Sequence, residues 1–532
     1  MWSVRQTVFL LAFGFATSGL QMASAQDLYL AYDGPAQGDQ FGTSVACPGD
    51  VDLDGVPDFL VGAPFHDAGG INAGMARLIS GASGELIVTF YGDFADDNFG
   101  RRVRGAGDVD NDGVPDLVIG AEQGGNQNGG YVVAYSGADG TRIVTLHGAS
   151  SNDHFGFAVD SVGDVNQDGF AELLVGAFGA DDNGSNSGIA RVYSGANGNI
   201  LYGFWGLDAG DQMGRAVAGI GDLDGDGVGD FLLGVPFAGA TDAGQVQVHS
   251  GATGNFLYRL DGQESGEMFG SELTGLGDLD NDGFEDFAVG APKSSLQGID
   301  SGRVAVYSGF AGALLFEFLG DAEGIEFGNS ISGPGDLDGD GVPDVSISAP
   351  RALNNRGYVR SFRGSDGIEI HTIGGPGIGG GQFGFSVAGA GDVNGDGLAD
   401  LVVGSPFQGN RAPGAGNVQV WATLGSVKMT VPVISHGGTI LTMDVEQAMP
   451  SSVVHYYFGR FSENTPLTSL GCTERYLQIA NPVLAGIDLV DATGVASLSV
   501  LIPAGTSGRA VLLQAVEADS CTPSNLQWVI LE

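Results

Sequence analysis

A nine-residue pattern, Asp-x-(Asp/Asn)-x-Asp-Gly-x-x-(Asp/Glu), returns seven times along this chain of 532 residues, and no other feature limits its fold as much. The copies begin at Asp50, Asp108, Asp164, Asp222, Asp278, Asp336 and Asp392, at alternating separations of 58 and 56 residues. A fixed period of that size marks a fold made from one repeated supersecondary unit. Each copy keeps the same neighbours. Phe-Gly stands nine residues before the first Asp at Phe41-Gly42, Phe99-Gly100, Phe155-Gly156, Phe269-Gly270, Phe327-Gly328 and Phe383-Gly384, with Met213-Gly214 as the variant. An apolar run after the acids closes on Gly-Ala-Pro or a relative, from Gly62-Ala63-Pro64 to Gly404-Ser405-Pro406, more loosely at Gly120-Ala121-Glu122 and Gly176-Ala177-Phe178.

Each unit reads as four short strands punctuated by turns. In the fourth these are Arg215–Gly219, Asp230–Gly234, Gln245–His249 and Phe256–Leu260. No long segment of the repeats has a period of 3.6, and the density of Gly, 94 in the chain, argues against helices. Seven units of four antiparallel strands predict an all-β chain whose residues 26–425 form a seven-bladed β-propeller. A solenoid would need atypical end repeats, and the first and last acidic loops are as regular as the rest. The seventh unit stops after its third strand, Asn417–Trp421, while Leu28–Tyr32 ahead of the first unit resembles a fourth strand. That N-terminal strand is therefore expected to complete blade seven and remove two exposed edges.

Outside the repeats, residues 1–25 read as an export signal: Arg5, an apolar run from Val8 to Ala16, and Ala23-Ser24-Ala25 as a cleavage site after Ala25. No later run is long and apolar enough for a membrane helix, so the mature chain is expected to be secreted or at the cell surface. Residues 426–532 lack the acidic loops and alternate in polarity at Thr439–Asp444, Val453–Phe458, Ala496–Ile502 and Ala510–Val516, which predicts a small accessory β-sandwich. Of three cysteines, Cys472 and Cys521 lie close enough in sequence to be the expected disulfide, leaving Cys47 as a buried packing thiol. Asn183-Gly-Ser185 fits a glycosylation acceptor.

The acidic loops carry the chemistry. Carboxylates at positions 1, 3, 5 and 9, a backbone carbonyl at position 7 and a turn-permitting Gly at position 6 form an oxygen-only set suited to Ca²⁺. Without a cation, four carboxylates in nine residues repel one another. The expected ligands are Asp50, Asp52, Asp54, Val56 and Asp58; Asp108, Asp110, Asp112, Val114 and Asp116; Asp164, Asn166, Asp168, Phe170 and Glu172; Asp222, Asp224, Asp226, Val228 and Asp230; Asp278, Asp280, Asp282, Phe284 and Asp286; Asp336, Asp338, Asp340, Val342 and Asp344; and Asp392, Asn394, Asp396, Leu398 and Asp400, for up to seven ions. Valine, Phe or Leu at position 7 contributes only its carbonyl. EF-hands share the opening but need an acid at position 12. Here that position is aliphatic in every copy, from Val61 to Val403, so the loop runs directly into a strand.

Phe-Gly, the acidic loop and Gly-Ala-Pro together resemble the FG-GAP repeat of integrin α-subunit β-propellers, over about residues 28–424. The resemblance implies seven blades with Ca²⁺ on a lower face and partner recognition on an upper one. It does not extend to leg domains, a transmembrane helix or a cytoplasmic tail, so heterodimeric signalling is not carried over.

Strand alternation puts the 1–2 loops and 3–4 turns on one face and the 2–3 and 4–1 loops on the other. The second set varies in length, and variable loops on a rigid scaffold are where recognition usually sits. Lys293, Arg351, Arg356 and Arg411 there are scarce cations in a chain of net charge -44. So negative a chain disfavours nucleic acid as a partner. No nucleophile elbow or H-E-x-x-H occurs, so the expectation is a binding or adhesion module for an extracellular protein or polysaccharide, not an enzyme. The alternatives are an extracellular polysaccharide hydrolase or lyase on the same scaffold, and a structural role in a surface layer.

Overall fold

The computed structural model describes residues 25–424 apart from 126–127, 377–379 and 410–411, and beyond 424 the strands alone. Contacts divide the chain into two compact units, one holding residues 26–423 and the other residues 424–532.

The first unit is a seven-bladed propeller. Blade two shows the pattern: Phe99–Gly107, Asp116–Ala121, Tyr131–Tyr135 and Arg142–His147 pair in order as an antiparallel sheet. The first strands of successive blades touch in sequence, and that of blade seven, Ser386–Gly391, returns to that of blade one, Ser44–Gly49, so the ring is closed. The N-terminal strand Ala25–Asp33 pairs with Asn417–Leu424 as the outer strand of blade seven. The expected closure is what forms.

Burial grades outward and explains the sequence pattern. All seven second strands, such as Asp58–Ala63 and Asp400–Ser405, are buried at every residue. They lie between neighbouring blades and so read as unbroken apolar runs rather than alternating ones. The fourth strands face solvent in part, as Leu86–Tyr91 does.

The Phe-Gly and Gly-Ala-Pro motifs are the two sides of one joint between blades. Each Phe of the pair, or Met213, is at most 2% exposed, and burying such a side chain contributes about 1.5–3 kcal/mol. In six of the blades it bridges the preceding blade, as Phe99 does to Gly74, and Phe41 bridges Gly416 to close the ring. The Gly beside it packs backbone to backbone. A Cβ on Gly62 would lie 1.9 Å from the Gly100 carbonyl oxygen, and one on Gly120 would lie 2.1 Å from that of Gly156. Only a residue without a side chain fits there.

One four-residue turn, Ala352–Asn355, departs from the helix-free expectation, though Leu353 and Asn354 within it have positive φ. Cys47 lies in the first strand of blade one, half-buried rather than enclosed, and burial pushes its thiol up to about 12. The second unit has strands at Lys428–Thr430, Ile440–Glu446 and Ala496–Leu501 in one sheet, and Tyr476–Leu489, Val453–Pro466, Arg509–Glu517 and Gln527–Leu531 in another. The packing expected of a sandwich, the Cys472–Cys521 pair, residues 1–24 and Arg411 lie outside the described residues.

Candidate functional site

Each acidic loop joins strands one and two of its blade and is folded by its own carboxylates. The first Asp accepts the N–H groups of positions 5 and 6: Asp54 donates to Asp50 Oδ1 at 3.0 Å and Gly55 to Asp50 Oδ2 at 2.8 Å. Both bonds recur at Asp108, Asp164, Asp222, Asp278 and Asp392; at Asp336 the Gly341 bond recurs, while Oδ1 accepts the N–H of Gly339 and that of Asp340 goes to Asp338. Position 6 has positive φ in all seven copies, for example 97° at Gly55 and 90° at Gly113. That conformation costs a side chain about 1 kcal/mol or more, which accounts for the invariant Gly.

Position 9 does different work. Asp58, Asp116, Glu172, Asp230, Asp286, Asp344 and Asp400 are all 0% exposed. In each, one oxygen accepts the N–H of position 2, as Asp116 Oδ2 accepts that of Val109 at 2.6 Å. In five, the other oxygen accepts an N–H from the 3–4 turn, as Asp116 Oδ1 accepts that of Gly137 at 2.9 Å, and in blade seven Asp400 Oδ1 accepts that of Thr423 at the end of the third strand. The carboxylate thus ties two segments of the lower face together, with lone pairs to spare for a cation. Burial, opposed by these N–H groups, pushes Asp116, Asp230 and Asp286 up to about 6, and Asp344 up to about 7.

Carboxylate oxygens converge closely enough to share one ion. Those of Asp50, Asp52 and Asp58, of Asp108, Asp110 and Asp116, and of Asp164, Asp168 and Glu172 lie within 4.8 Å of one another, as do those of Asp222, Asp224 and Asp226 and of Asp278, Asp280 and Asp282. The fit to a cation shows most directly at Asp110, where Oδ1 is buried and has no hydrogen-bond partner. A buried carboxylate oxygen left alone is costly unless a positive charge meets it. In blade three Asn166 donates its amide to Glu172 Oε1 at 2.8 Å. In blade six a basic side chain already reaches the acids: Arg363 Nε lies 2.6 Å from Asp338 Oδ2 and 3.7 Å from Asp340 Oδ2.

On the upper face the expected cations are mostly committed. Lys293 pairs with Glu326 and, at 3.1 Å, with Asp300; Arg351 reaches Glu326 at 2.9 Å; Arg356 donates to the Gly375 carbonyl. A second periodic set of acids, two residues before the Phe-Gly joint, was not read from sequence. Asp39, Asp97, Asp153, Asp211 and Glu267 are buried and accept N–H groups that shape the 4–1 loops. Their fixed offset from Phe-Gly was the available signal. Position 4 of the lower loops was also missed. It has positive φ throughout, from 58° at Asn111 to 80° at Gly339, and its Gly and Asn residues announce it.

Among known families, the FG-GAP repeat matches residues 99–135, 213–249, 269–307, 327–362 and 383–421. Integrin alpha-5 of Xenopus laevis is 31% identical over 214 residues, which cover 37% of this chain and 20% of that protein. Integrin alpha pat-2 of Caenorhabditis briggsae is 33% identical over 228 residues, 38% of this chain and 18% of that one, and integrin alpha-4 of Xenopus laevis is 36% identical over 163 residues, 28% and 15%. The matched part thus spans about a fifth of the length of these relatives or less. Among the described residues no helix is long and apolar enough to cross a membrane.

Proposed function

We propose that this chain, which carries FG-GAP repeats folded as an integrin-α-like propeller, is a secreted ligand-binding or adhesion module without catalysis. Ca²⁺ clasps the strand 1–2 loops, and the variable opposite face recognises an extracellular protein or polysaccharide. The observation that carries the reading is the division of labour between faces. Acids converge on one ion's volume at the lower loops, with Asp110 Oδ1 unpartnered, whereas the other face is built of loops that differ from blade to blade. Positions 1, 3 and 5 and the position 7 carbonyl supply the ligands, joined by the second lone pairs of position 9. A bound ion neutralises the loop acids and so contributes folding free energy.

An array of extracellular matrix proteins and glycans, probed with the mature protein in Ca²⁺ and then in chelator, tests the reading. Saturable capture lost on chelation is expected. Turnover of a polysaccharide, abolished by one upper-face substitution, would replace it with the hydrolase or lyase alternative.

A further inference from the structure

Blades two, three and four bring two guanidinium groups onto one aromatic ring at the upper face. Arg101 and Arg215 each follow the Phe-Gly joint of their blade, or its Met213-Gly214 variant, and each places its guanidinium carbon 5.5 Å from the centroid of Phe157, the residue at the same place in the blade between them. Arg215 also lies 5.2 Å from the centroid of Phe178, on which His154 stacks at 4.7 Å. One carboxylate serves the group: Glu122, 3.3 Å from Arg101 and 3.6 Å from His154.

Arg215 is the unusual member. Its Nη1 donates to Gln212 Oε1 at 2.8 Å, and among the described residues no carboxylate lies within ion-pair distance of it. A guanidinium carries five N–H donors in a planar fork, so most of this one is unspent. Nothing in the joint requires a cation there, since the equivalent residue is Thr43 in blade one and Ser271 in blade five. Holding two like charges together has a cost, and burial, with Arg101 adding to it, draws the Arg215 pKa down. Yet, in a chain with 64 Asp and Glu against 20 Lys and Arg, no acid among the described residues forms an ion pair with this cation.

We infer that Arg215, with Arg101 beside it, is a carboxylate-binding subsite that anchors an Asp or Glu side chain presented by a partner protein. The inference rests on the upper-face reading and sharpens it. A planar fork held by ring faces is suited to a carboxylate. The aromatic rings already carry guanidinium or imidazole groups against them, which leaves them poorly placed to stack on a sugar, so an acidic peptide is favoured over a uronate-bearing polysaccharide. The strongly negative surround makes the site selective for a carboxylate that reaches in on a loop, since a diffuse polyanion is repelled.

The test uses the mature chain in Ca²⁺ on an array of random-sequence peptides and on polygalacturonate. Captured peptides are expected to share an acidic residue, to lose binding when it becomes Asn or Gln, and to bind Arg215→Gln at least about tenfold more weakly. Arg215→Lys, which keeps the charge but not the fork, should recover only part of that loss, while Arg259→Gln, at an exposed cation on the outer strand Phe256–Asp261, should bind normally. Melting temperatures matching the parent's verify that the variants fold. Capture indifferent to Arg215, capture of peptides without an acid, or Arg215-dependent capture of polygalacturonate alone would overturn the inference and leave upper-face recognition standing. No capture of any probe here, together with none on the matrix-protein and glycan array, would end both.

Discussion

The acidic loops of blades two and six share one nonapeptide plan, Asp108–Asp116 and Asp336–Asp344, yet differ in what stands over them. At the 3–4 turn beside the loop, blade two has Ser136 and blade six has Arg363. In blade two, Asp110 Oδ1 is buried with no partner. In blade six the same position, Asp338, is met by Arg363 at 2.6 Å. Hydrogen bonding to Asp338 in turn holds the Arg363 pKa up. The difference teaches that a motif fixes which acids are brought together, while a neighbour two strands away decides how much of their charge remains for an ion. Seven equal sites, as the repeat alone suggests, are not what the fold presents.

The largest effect should come from treating all loops alike. A site held at a hundredfold over its Kd contributes about 2.7 kcal/mol. Stripping several with excess chelator should therefore cost more than about 5 kcal/mol, read as a marked fall in the melting temperature of the mature protein. An unchanged melting curve would refute cation clasping in blade two and blade six together.

The joint between blades separates the same two blades. Blade two has Gly120 where blade six has Ser348, whose Oγ accepts the Ser330 N–H at 3.1 Å. A side chain at Gly120 meets backbone, 2.1 Å from the Gly156 oxygen, and no rotation relieves it. Gly120→Ser should cost about 3 kcal/mol in chemical denaturation. The reverse change, Ser348→Gly, should cost about 1 kcal/mol, the loss of one hydrogen bond. Equal costs would mean that the joint is as loose in blade two as in blade six.

Much of this architecture was legible because it repeats. The period, the Phe-Gly knobs and the spare strand at Leu28–Tyr32 each appear in the sequence as the fold uses them, and repetition separates a structural role from chance. What was hidden lies where one blade departs from its neighbours. Arg363 sits in a turn read as generic, and its significance depends on Asp338, 25 residues earlier. Arg101 and Arg215 are 114 residues apart in sequence and meet only because Phe157 is placed between them by ring geometry. Lys293 and Arg351 looked available for a ligand because nothing in the sequence shows that both turn onto Glu326. Periodic roles can be read along the chain; pairings between blades require the ring.

Exchanging the turn residues should exchange the behaviour of the loops. Arg363→Ser is expected to raise the number of tightly bound Ca²⁺ ions by one per chain in calorimetric titration. In chelator it should destabilise the chain by about 1.5 kcal/mol, the loss of a charge-assisted bond. Ser136→Arg should do the opposite, lowering the count by one. An unaltered stoichiometry in both variants would mean that Arg363 yields to the ion without hindrance, and the two loops are then equivalent after all.

The smallest difference lies in the outer strands. Blade two pairs Ala134 with Val144, and blade six pairs Ser361 with His371 at the same register. Both ring nitrogens of His371 are buried without a hydrogen-bond partner, and burial pushes its pKa down to about 4. The folded chain therefore refuses a proton that the unfolded chain accepts near pH 6.5. Stability from this group is complete above about pH 6.5 and is lost as the pH falls toward 4. His371→Val, which copies blade two, removes that slope. The stability of the variant relative to the parent should therefore rise by about 0.7 kcal/mol between pH 7.5 and pH 6, at 1.36 kcal/mol for each pH unit below the unfolded value. Denaturation of the two proteins side by side in saturating Ca²⁺ cancels the carboxylates they share, so a relative stability that stays flat over this range would show that His371 takes its proton as readily folded as unfolded.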